Sequence, residues 1–181
     1  MEAAERGVSV ETNRECPDEP NEIFMAHVRR ILLGWMVRDA KTAASNRAHI
    51  GALILGVCAL DVLGGFYAGV KITKPKTFKD FIEEYLPNQE IYIDSGVYEN
   101  MRCNLVHGYS TEGFKYTDEF PAKHLQKDEE DGNFWIHVDT FLWEVETAAR
   151  DYLDDLSKKD ELWPLFKKRW KHAPLLGPIP G

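Results

Sequence analysis

The chain has 181 residues, 44% of them hydrophobic and 5 of them Trp, so it is long enough to bury one core and predicts a single domain. Its 30 acidic residues outnumber its 22 Lys and Arg, and a formal net charge of -8 excludes binding to duplex nucleic acid by general electrostatic attraction. Three widely spaced cysteines exclude a complete disulfide framework and a Cys-x-x-Cys zinc signature, and they favour a cytoplasmic location.

Composition divides the chain into three parts. Residues 1–20 are polar and contain proline, which predicts a disordered N-terminal arm. Residues 21–172 carry the helical periodicity of a folded domain. Residues 173–181 are rich in Pro and Gly and predict an irregular C-terminal tail.

The first two predicted helices follow each other closely. Asn21 is the expected N-cap of a helix that runs to about residue 43, and Ser45 or Asn46 is expected to cap a second helix that ends near residue 68. The second helix has a single charge, Asp61, between residues 51 and 69. A carboxylate at the centre of a lipid-embedded helix is costly, so we expect a buried central helix of a soluble bundle and no membrane span.

Two shorter helices are predicted next. Thr77 is the expected cap of a third helix, which Pro87 ends. Asp94 or Ser95 is the expected cap of a fourth, and Gly108 is a suitable residue to follow its last turn.

After the fourth helix the apolar period changes. Apolar residues alternate at 114–116 and at 134–138, on either side of the acidic run 127–132, which predicts a small antiparallel hairpin with a solvated tip. A long apolar stripe over 138–156 and a final short helix at 162–170 complete the domain. The predicted fold class is all-α, a bundle of about five helices with the β-hairpin inserted between the fourth and fifth, and it is expected to form a two-fold dimer.

The residues best suited to chemistry are Arg102 and His107. Arginine can grip a phosphate with two donors, and histidine exchanges its proton near neutral pH. A phosphate-binding group and a proton-transfer group are the fewest side chains that can cleave a phosphodiester without a metal. The alternative is architectural, with Arg102 in an ion pair and His107 satisfying the end of its helix.

Helical geometry constrains this pair. Residues five apart in an α-helix lie about 140° apart, so Arg102 and His107 would not share a face. They could meet past the last regular turn of the helix, or across the two-fold axis of a dimer, where they would form a composite site. Tyr98 lies one turn before Arg102 and Glu99 two turns before His107, and both are expected to line this surface.

Three further residues are candidates for supporting roles. Asn104 can fix the imidazole tautomer, donate to a phosphate oxygen, or simply be a polar residue near a helix end. Cys103 is either a thiolate nucleophile or a small buried apolar residue. Asp61 is the one carboxylate in the central helix and requires a partner. Arg102 is that expected partner, and the pairing either joins two helices or aims Arg102 at a phosphate.

No cofactor or metal site is expected. The sequence contains no glycine-rich phosphate loop and no HExxH or GxSxG motif. The remaining histidines have no metal-ligand spacing: His27, His49, His124, His137 and His172.

The segment Arg102-Cys-Asn-Leu-Val-His107 resembles the Arg-x4–6-His signature of the HEPN superfamily (higher eukaryote and prokaryote nucleotide-binding domains). A long apolar helix with one acidic residue, Ala59-Leu-Asp61, precedes it, and the segments 81–87 and 98–108 share the resemblance. The likeness covers roughly residues 22–157 and is to uncharacterised prokaryotic members. One position differs, because active members usually carry a polar residue directly after the arginine, where this chain has Cys103.

The resemblance implies a dimeric helical bundle whose paired motifs form a metal-independent endoribonuclease cleft. Arg102 would orient and neutralise the scissile phosphate, and His107 would transfer protons during attack by the ribose 2′-hydroxyl, leaving a 2′,3′-cyclic phosphate. Such proteins often act in toxin–antitoxin or antiviral systems, with an antitoxin or a nucleotidyltransferase as partner. Two rival hypotheses are a non-catalytic dimer that binds a nucleotide or a partner protein, and a purely structural dimer.

Overall fold

The computed structural model describes residues 16–175, in which seven helices surround one core and two short strands form a small sheet. Contiguous helical segments join into single helices. The elements are α1 (Glu22–Ile31, the π-helical Leu32–Val37 and Arg38–Ser45), α2 (His49–Ala68), α3 (Pro75–Tyr85), α4 (Gln89–Asp94), α5 (the π-helical Tyr98–Leu105 and Val106–Gly108), β1 (Phe114–Thr117), β2 (Phe134–His137), α6 (Val138–Leu156) and α7 (Leu162–His172).

Helix α1 begins where the sequence predicts and ends later. The side chain of Asn21 accepts a hydrogen bond from the backbone of Phe24 at 2.9 Å, which confirms it as the N-cap. The predicted capping of α2 by Ser45 or Asn46 is wrong. Ser45 is the last residue of α1, and the Asn46 side chain bonds back to the carbonyl of Thr42 at 2.8 Å. Both polar residues therefore close the first helix instead of opening the second.

Helix α2 is the central element, as predicted, and contacts α1, α3, α5, α6 and α7. It ends at Ala68, where Gly69 adopts a left-handed φ of 64° that caps the helix. It is long and apolar enough to cross a membrane by length and composition, with a mean hydropathy of 2.0. However, 56% of that window is buried inside the protein, as in the core helix of a soluble protein.

The helices around the Arg/His motif differ in detail from the prediction. Neither Asp94 nor Ser95 caps the helix of the motif, because they close a separate short helix, α4. Gly108 is the last residue of α5, and Tyr109 instead takes the left-handed conformation, with φ 50°. Thr77 lies inside α3 and accepts a hydrogen bond from the backbone of Lys74, so α3 begins three residues earlier than predicted, at Pro75.

The two strands lie between the helix of the Arg/His motif and the long helix that begins at residue 138, as predicted. These are α5 and α6 here because the sequence does not predict the short helix α4. The strands pair in parallel, so the predicted antiparallel hairpin is wrong. Phe114 is opposite Phe134, and Thr117 is opposite His137. The connection between them crosses over through a 3₁₀ turn at Pro121–Lys123. Alternating apolar residues indicate strands without fixing their direction, and the long connection permits the parallel arrangement.

The acidic run in that connection is partly organised. Lys115 bridges Asp128 and Asp131, with both N–O distances 3.0 Å. The backbone N–H of Glu130 and the Lys115 ammonium lower the pKa of Asp128 to about 2. The tip is therefore held by hydrogen bonds and ion pairs and is more than a solvated loop.

The ends of the domain meet at α7. The Trp163 indole donates to the carbonyl of Asp18 at 2.8 Å, and Lys167 pairs with its carboxylate. The described end of the predicted arm, residues 16–20, is thus attached to the last helix. Residues 1–15 of the arm and 176–181 of the tail lie outside the described residues.

Candidate functional site

Arg102 and His107 lie on one face of α5 and contact each other directly. Arg102 Nη1 donates to His107 Nε2 at 2.7 Å. The expected separation of 140° is wrong because the segment Tyr98–Leu105 is a π-helix. Its i→i+5 hydrogen bonds wind the backbone more widely than an α-helix and bring residues five apart onto nearly the same face. The pair therefore forms within one chain.

Asp61 of α2 fixes the arginine from the other side. The predicted ion pair is present, with Arg102 Nε 3.0 Å from Asp61 Oδ1 and both side chains half-buried. The hydrogen bond to Asp61 raises the pKa of Arg102 above its already high usual value. The guanidinium is therefore a permanent cation whose orientation is set from two directions.

An aromatic ring completes the support of the guanidinium. The centre of the Arg102 guanidinium lies 5.7 Å from the centroid of the Tyr98 ring, within the range of a cation–π contact. Partial burial raises the pKa of the Tyr98 phenol. Tyr98 in turn packs edge-on against Phe78 of α3. The arginine thus rests on a ring that the core holds in place.

The contact with Arg102 gives His107 Nε2 the role of a hydrogen-bond acceptor. A guanidinium N–H can only donate, so the Nε2 atom of His107 accepts in this contact. Its side chain is exposed at the end of α5. An exposed imidazole nitrogen that accepts a hydrogen bond beside a fixed cation is a candidate general base.

The other predicted residues are placed less directly. Glu99 is drawn toward α3, with its carboxylate 3.6 Å from Lys79 Nζ. The carbonyl of Asn104 accepts from the backbone N–H of Ser110 at 3.2 Å and helps to close the helix. Cys103 is a half-buried free thiol. The structure therefore brings together Asp61, Tyr98, Arg102 and His107, which we call the Arg/His cluster.

A half-exposed apolar strip of α2 runs beside the Arg/His cluster. It consists of Ile54, Leu55, Cys58 and Val62, and we call it the α2 strip. Leu55 is 39% exposed, and burial raises the pKa of the Cys58 thiol, which the charge of Asp61 also raises. Tyr109, directly after the motif, is 72% exposed. Apolar surface therefore flanks the cluster along the central helix.

The sequence interpretation missed a second polar cluster, buried between α4 and α6. Glu144 accepts hydrogen bonds from the Tyr92 hydroxyl and from Asn88 at 3.3 Å, and its Oε2 lies 3.0 Å from His124 Nε2. His124 Nδ1 accepts the backbone N–H of His137 at 3.1 Å, so its Nε2 carries the proton and donates to the carboxylate. Glu144 and Tyr92 are 3% and 0% exposed, so these contacts are buried. We call the four side chains of Asn88, Tyr92, His124 and Glu144 the Glu144 clamp.

Only weak signals in the sequence could have revealed this clamp. Glu144 interrupts the apolar stripe of α6 at a core position, which is the one local sign that it is buried. Its partners come from distant parts of the chain. Among residues 16–175, no three His, Cys, Asp or Glu side chains are grouped so as to hold a metal ion.

Comparison of the chain with protein-family models, with curated proteins and with solved structures gives no match.

Proposed function

We propose that this chain is a HEPN-like, metal-independent endoribonuclease of the cytoplasm, with its site at a homodimer interface, and that it serves as a toxin or antiviral component. The observation that supports this most is the contact between Arg102 and His107, with the arginine oriented by Asp61. A cation held in place beside an imidazole is the pairing that phosphodiester cleavage by a 2′-hydroxyl requires.

Each group has a distinct role in this proposal. Asp61 keeps Arg102 Nε, which leaves the Nη atoms to bind two oxygens of the scissile phosphate. When Nη1 turns to the phosphate, His107 Nε2 is released and accepts the proton of the 2′-hydroxyl. The 2′-oxygen then attacks phosphorus and the bond to the 5′-oxygen breaks, which gives a 2′,3′-cyclic phosphate and a 5′-hydroxyl.

A dimer supplies the second proton transfer. The α2 strip and Tyr109 offer apolar surface beside the cluster, and a two-fold contact there would place two Arg/His clusters in one cleft. One imidazole then acts as the base, and the second, protonated, donates to the leaving 5′-oxygen. The site is composite in this sense, although each arginine already contacts the histidine of its own chain.

The direct test is cleavage of mixed RNA in excess chelator. We expect the wild-type protein to leave 2′,3′-cyclic phosphate ends and His107→Ala to be at least about 100-fold slower, since general acid–base catalysis contributes 10²–10⁴-fold. His27→Ala is the matched control, because His27 is a half-exposed histidine of α1 outside the cluster. Cleavage by His107→Ala at the wild-type rate would contradict the proposal.

A second candidate function is non-catalytic binding of a nucleotide or a partner, such as an antitoxin or a nucleotidyltransferase. Cys103 favours it, because this half-buried free thiol stands directly after the arginine, where active HEPN proteins usually carry a polar residue. This function predicts that nucleotides raise the melting temperature of the wild-type protein but not of Arg102→Ala, without any turnover. Turnover by the wild-type protein would exclude it.

A further inference from the structure

Helix α7 concentrates positive charge in an acidic protein. It contains Lys167, Lys168, Arg169 and Lys171, followed by His172, and no acidic residue occurs from residue 162 to the end of the sequence. The whole chain has a net charge of -8. A polyanion that approaches this protein is therefore attracted to α7 and repelled by much of the remaining surface.

The packing of α7 against α2 sets how far along the central helix its C-terminal end reaches. Leu165 lies against Gly69 and Arg169 against Gly65, where an added Cβ would come within 3.1 Å and 3.2 Å of them. Later residues of α7 therefore contact earlier residues of α2, so the two helices are antiparallel. One further turn along both helices brings the end of α7 to the level of Asp61.

Arg169 shows how closely the two regions approach each other. Its Nη1 donates to the carbonyl of Lys71, and its guanidinium lies 5.7 Å from the centroid of the Phe66 ring. The charge of Asp61 acts on it, although partial burial is the larger effect and lowers the pKa of Arg169. The carboxylate that orients Arg102 is thus also within electrostatic reach of α7.

The outer face of α7 leaves charges available. Lys168, Lys171 and His172 are exposed and line an open cavity of about 950 Å³. The carboxylate of Asp18 at that cavity is already paired with Lys167, 2.8 Å away. Among residues 16–175, two lysine ammonium groups on this face therefore remain in excess over the carboxylate that lines the same cavity.

We propose that the exposed face of α7, through Lys168 and Lys171, binds the phosphodiester backbone of single-stranded RNA whose scissile phosphate lies at Arg102. This inference rests on the proposed function for the identity of the nucleic acid. A narrow track of cations suits one strand, whereas a duplex needs a broad basic surface that the acidic chain lacks. In this proposal the exposed face of α7 contributes RNA affinity and the Arg/His cluster contributes cleavage, so binding and cleavage can be tested separately.

The test measures binding of a labelled single-stranded RNA with 2′-O-methyl riboses, which has no 2′-hydroxyl to attack the phosphate. Fluorescence anisotropy at several KCl concentrations compares the wild-type protein with the double variant Lys168→Ser/Lys171→Ser. The control is Lys76→Ser/Lys158→Ser, which removes the same charge from exposed positions outside α7. We expect the α7 variant to raise Kd at least about tenfold in 50 mM KCl and to reduce the slope of log Kd against log salt by about 1.4, or 0.7 per lost contact.

The outcomes separate this inference from the nuclease proposal. Wild-type affinity and salt slope in the α7 variant would overturn it, even if the protein cleaves RNA, and so would an equal loss in the control. A selective loss in the α7 variant would support it even if no cleavage is found. If the lysines only stabilise the end of α7, the α7 variant will melt at a lower temperature and bind RNA as the wild type does, which also overturns the inference.

Discussion

At the scale of single residues, Arg102 uses different N–H groups for different partners. Its Nε donates to Asp61, its Nη1 donates to His107, and its guanidinium carbon lies over the Tyr98 ring. A lysine ammonium has no planar fork and could not reproduce this geometry, so the position requires more than positive charge. The arginine links the central helix to the exposed imidazole.

The buried clamp at Glu144 gives a stability prediction. Glu144→Ala removes the acceptor that the Tyr92 hydroxyl, His124 Nε2 and the Asn88 amide share, leaves the hydroxyl and Nε2 only their mutual contact at 3.0 Å, and opens a cavity in the core. We expect the free energy of unfolding to fall by about 3 kcal/mol or more, as when one partner of a buried pair is removed. Urea unfolding measures the change.

Glu83→Ala is the control for this prediction, because Glu83 is an exposed glutamate of α3. Its effect should stay within about 0.5 kcal/mol. Equal unfolding free energies for the Glu144 variant and the wild-type protein would show that the clamp contributes nothing to stability.

These two sets of contacts show what could be predicted at this scale. The Asp61–Arg102 pair follows from the sequence because a lone carboxylate in an apolar helix needs a cation. The Glu144 clamp does not follow, because the residues it joins are 20 to 56 positions apart and no local pattern links them. The contact with His107 depends on backbone geometry and belongs to the next scale.

At the scale of elements, the π-helical segment of α5 decides the geometry of the site. Apolar spacing predicts that a helix exists there but does not distinguish α from π winding, so the separation of Arg102 and His107 could not be predicted. The strands show the same limit, because their alternation is equally compatible with parallel and antiparallel pairing. By contrast, long periodic helices such as α6 are predicted to within a residue.

The close packing of α2 against α6 gives a second stability prediction. An added Cβ at Gly56 would lie 2.7 Å from Phe141 Cε1 and 2.9 Å from Leu142 Cδ2. Gly56→Ala should therefore destabilise the protein by about 1–3 kcal/mol through overpacking, measured by thermal or urea unfolding.

Gly51 on the same helix is the matched control. An added Cβ there would approach only Ala48 Cβ, at 4.0 Å. Gly51→Ala should stabilise the protein by about 0.5–1 kcal/mol, the usual gain from replacing a helical glycine. If both variants were more stable than the wild-type protein, local helix propensity would outweigh the contact with α6.

At the scale of the whole molecule, the protein separates its apolar and its charged surfaces. The α2 strip lies beside Asp61 on the central helix and Tyr109 follows His107 in the chain, whereas the cationic α7 packs on the next turns of α2. An apolar strip beside a polar cluster suits a protein contact, and a cationic helix suits a polyanion. The central helix therefore connects the surface proposed for a second copy with the surface proposed for single-stranded RNA.

The dimer is the prediction that belongs to this scale. Leu55→Glu places a carboxylate in the α2 strip, where a two-fold contact would bring two such charges together in an apolar interface. We expect the wild-type protein to sediment as a dimer at micromolar concentration and the variant as a monomer of 20.8 kDa.

Ile23→Glu is the control, since Ile23 is 86% exposed and lies at the start of α1. Because the proposed cleavage uses two imidazoles in one cleft, Leu55→Glu should lose RNA cleavage together with the dimer. A wild-type monomer, or a Leu55→Glu dimer as tight as the wild type, would remove the α2 strip as the interface.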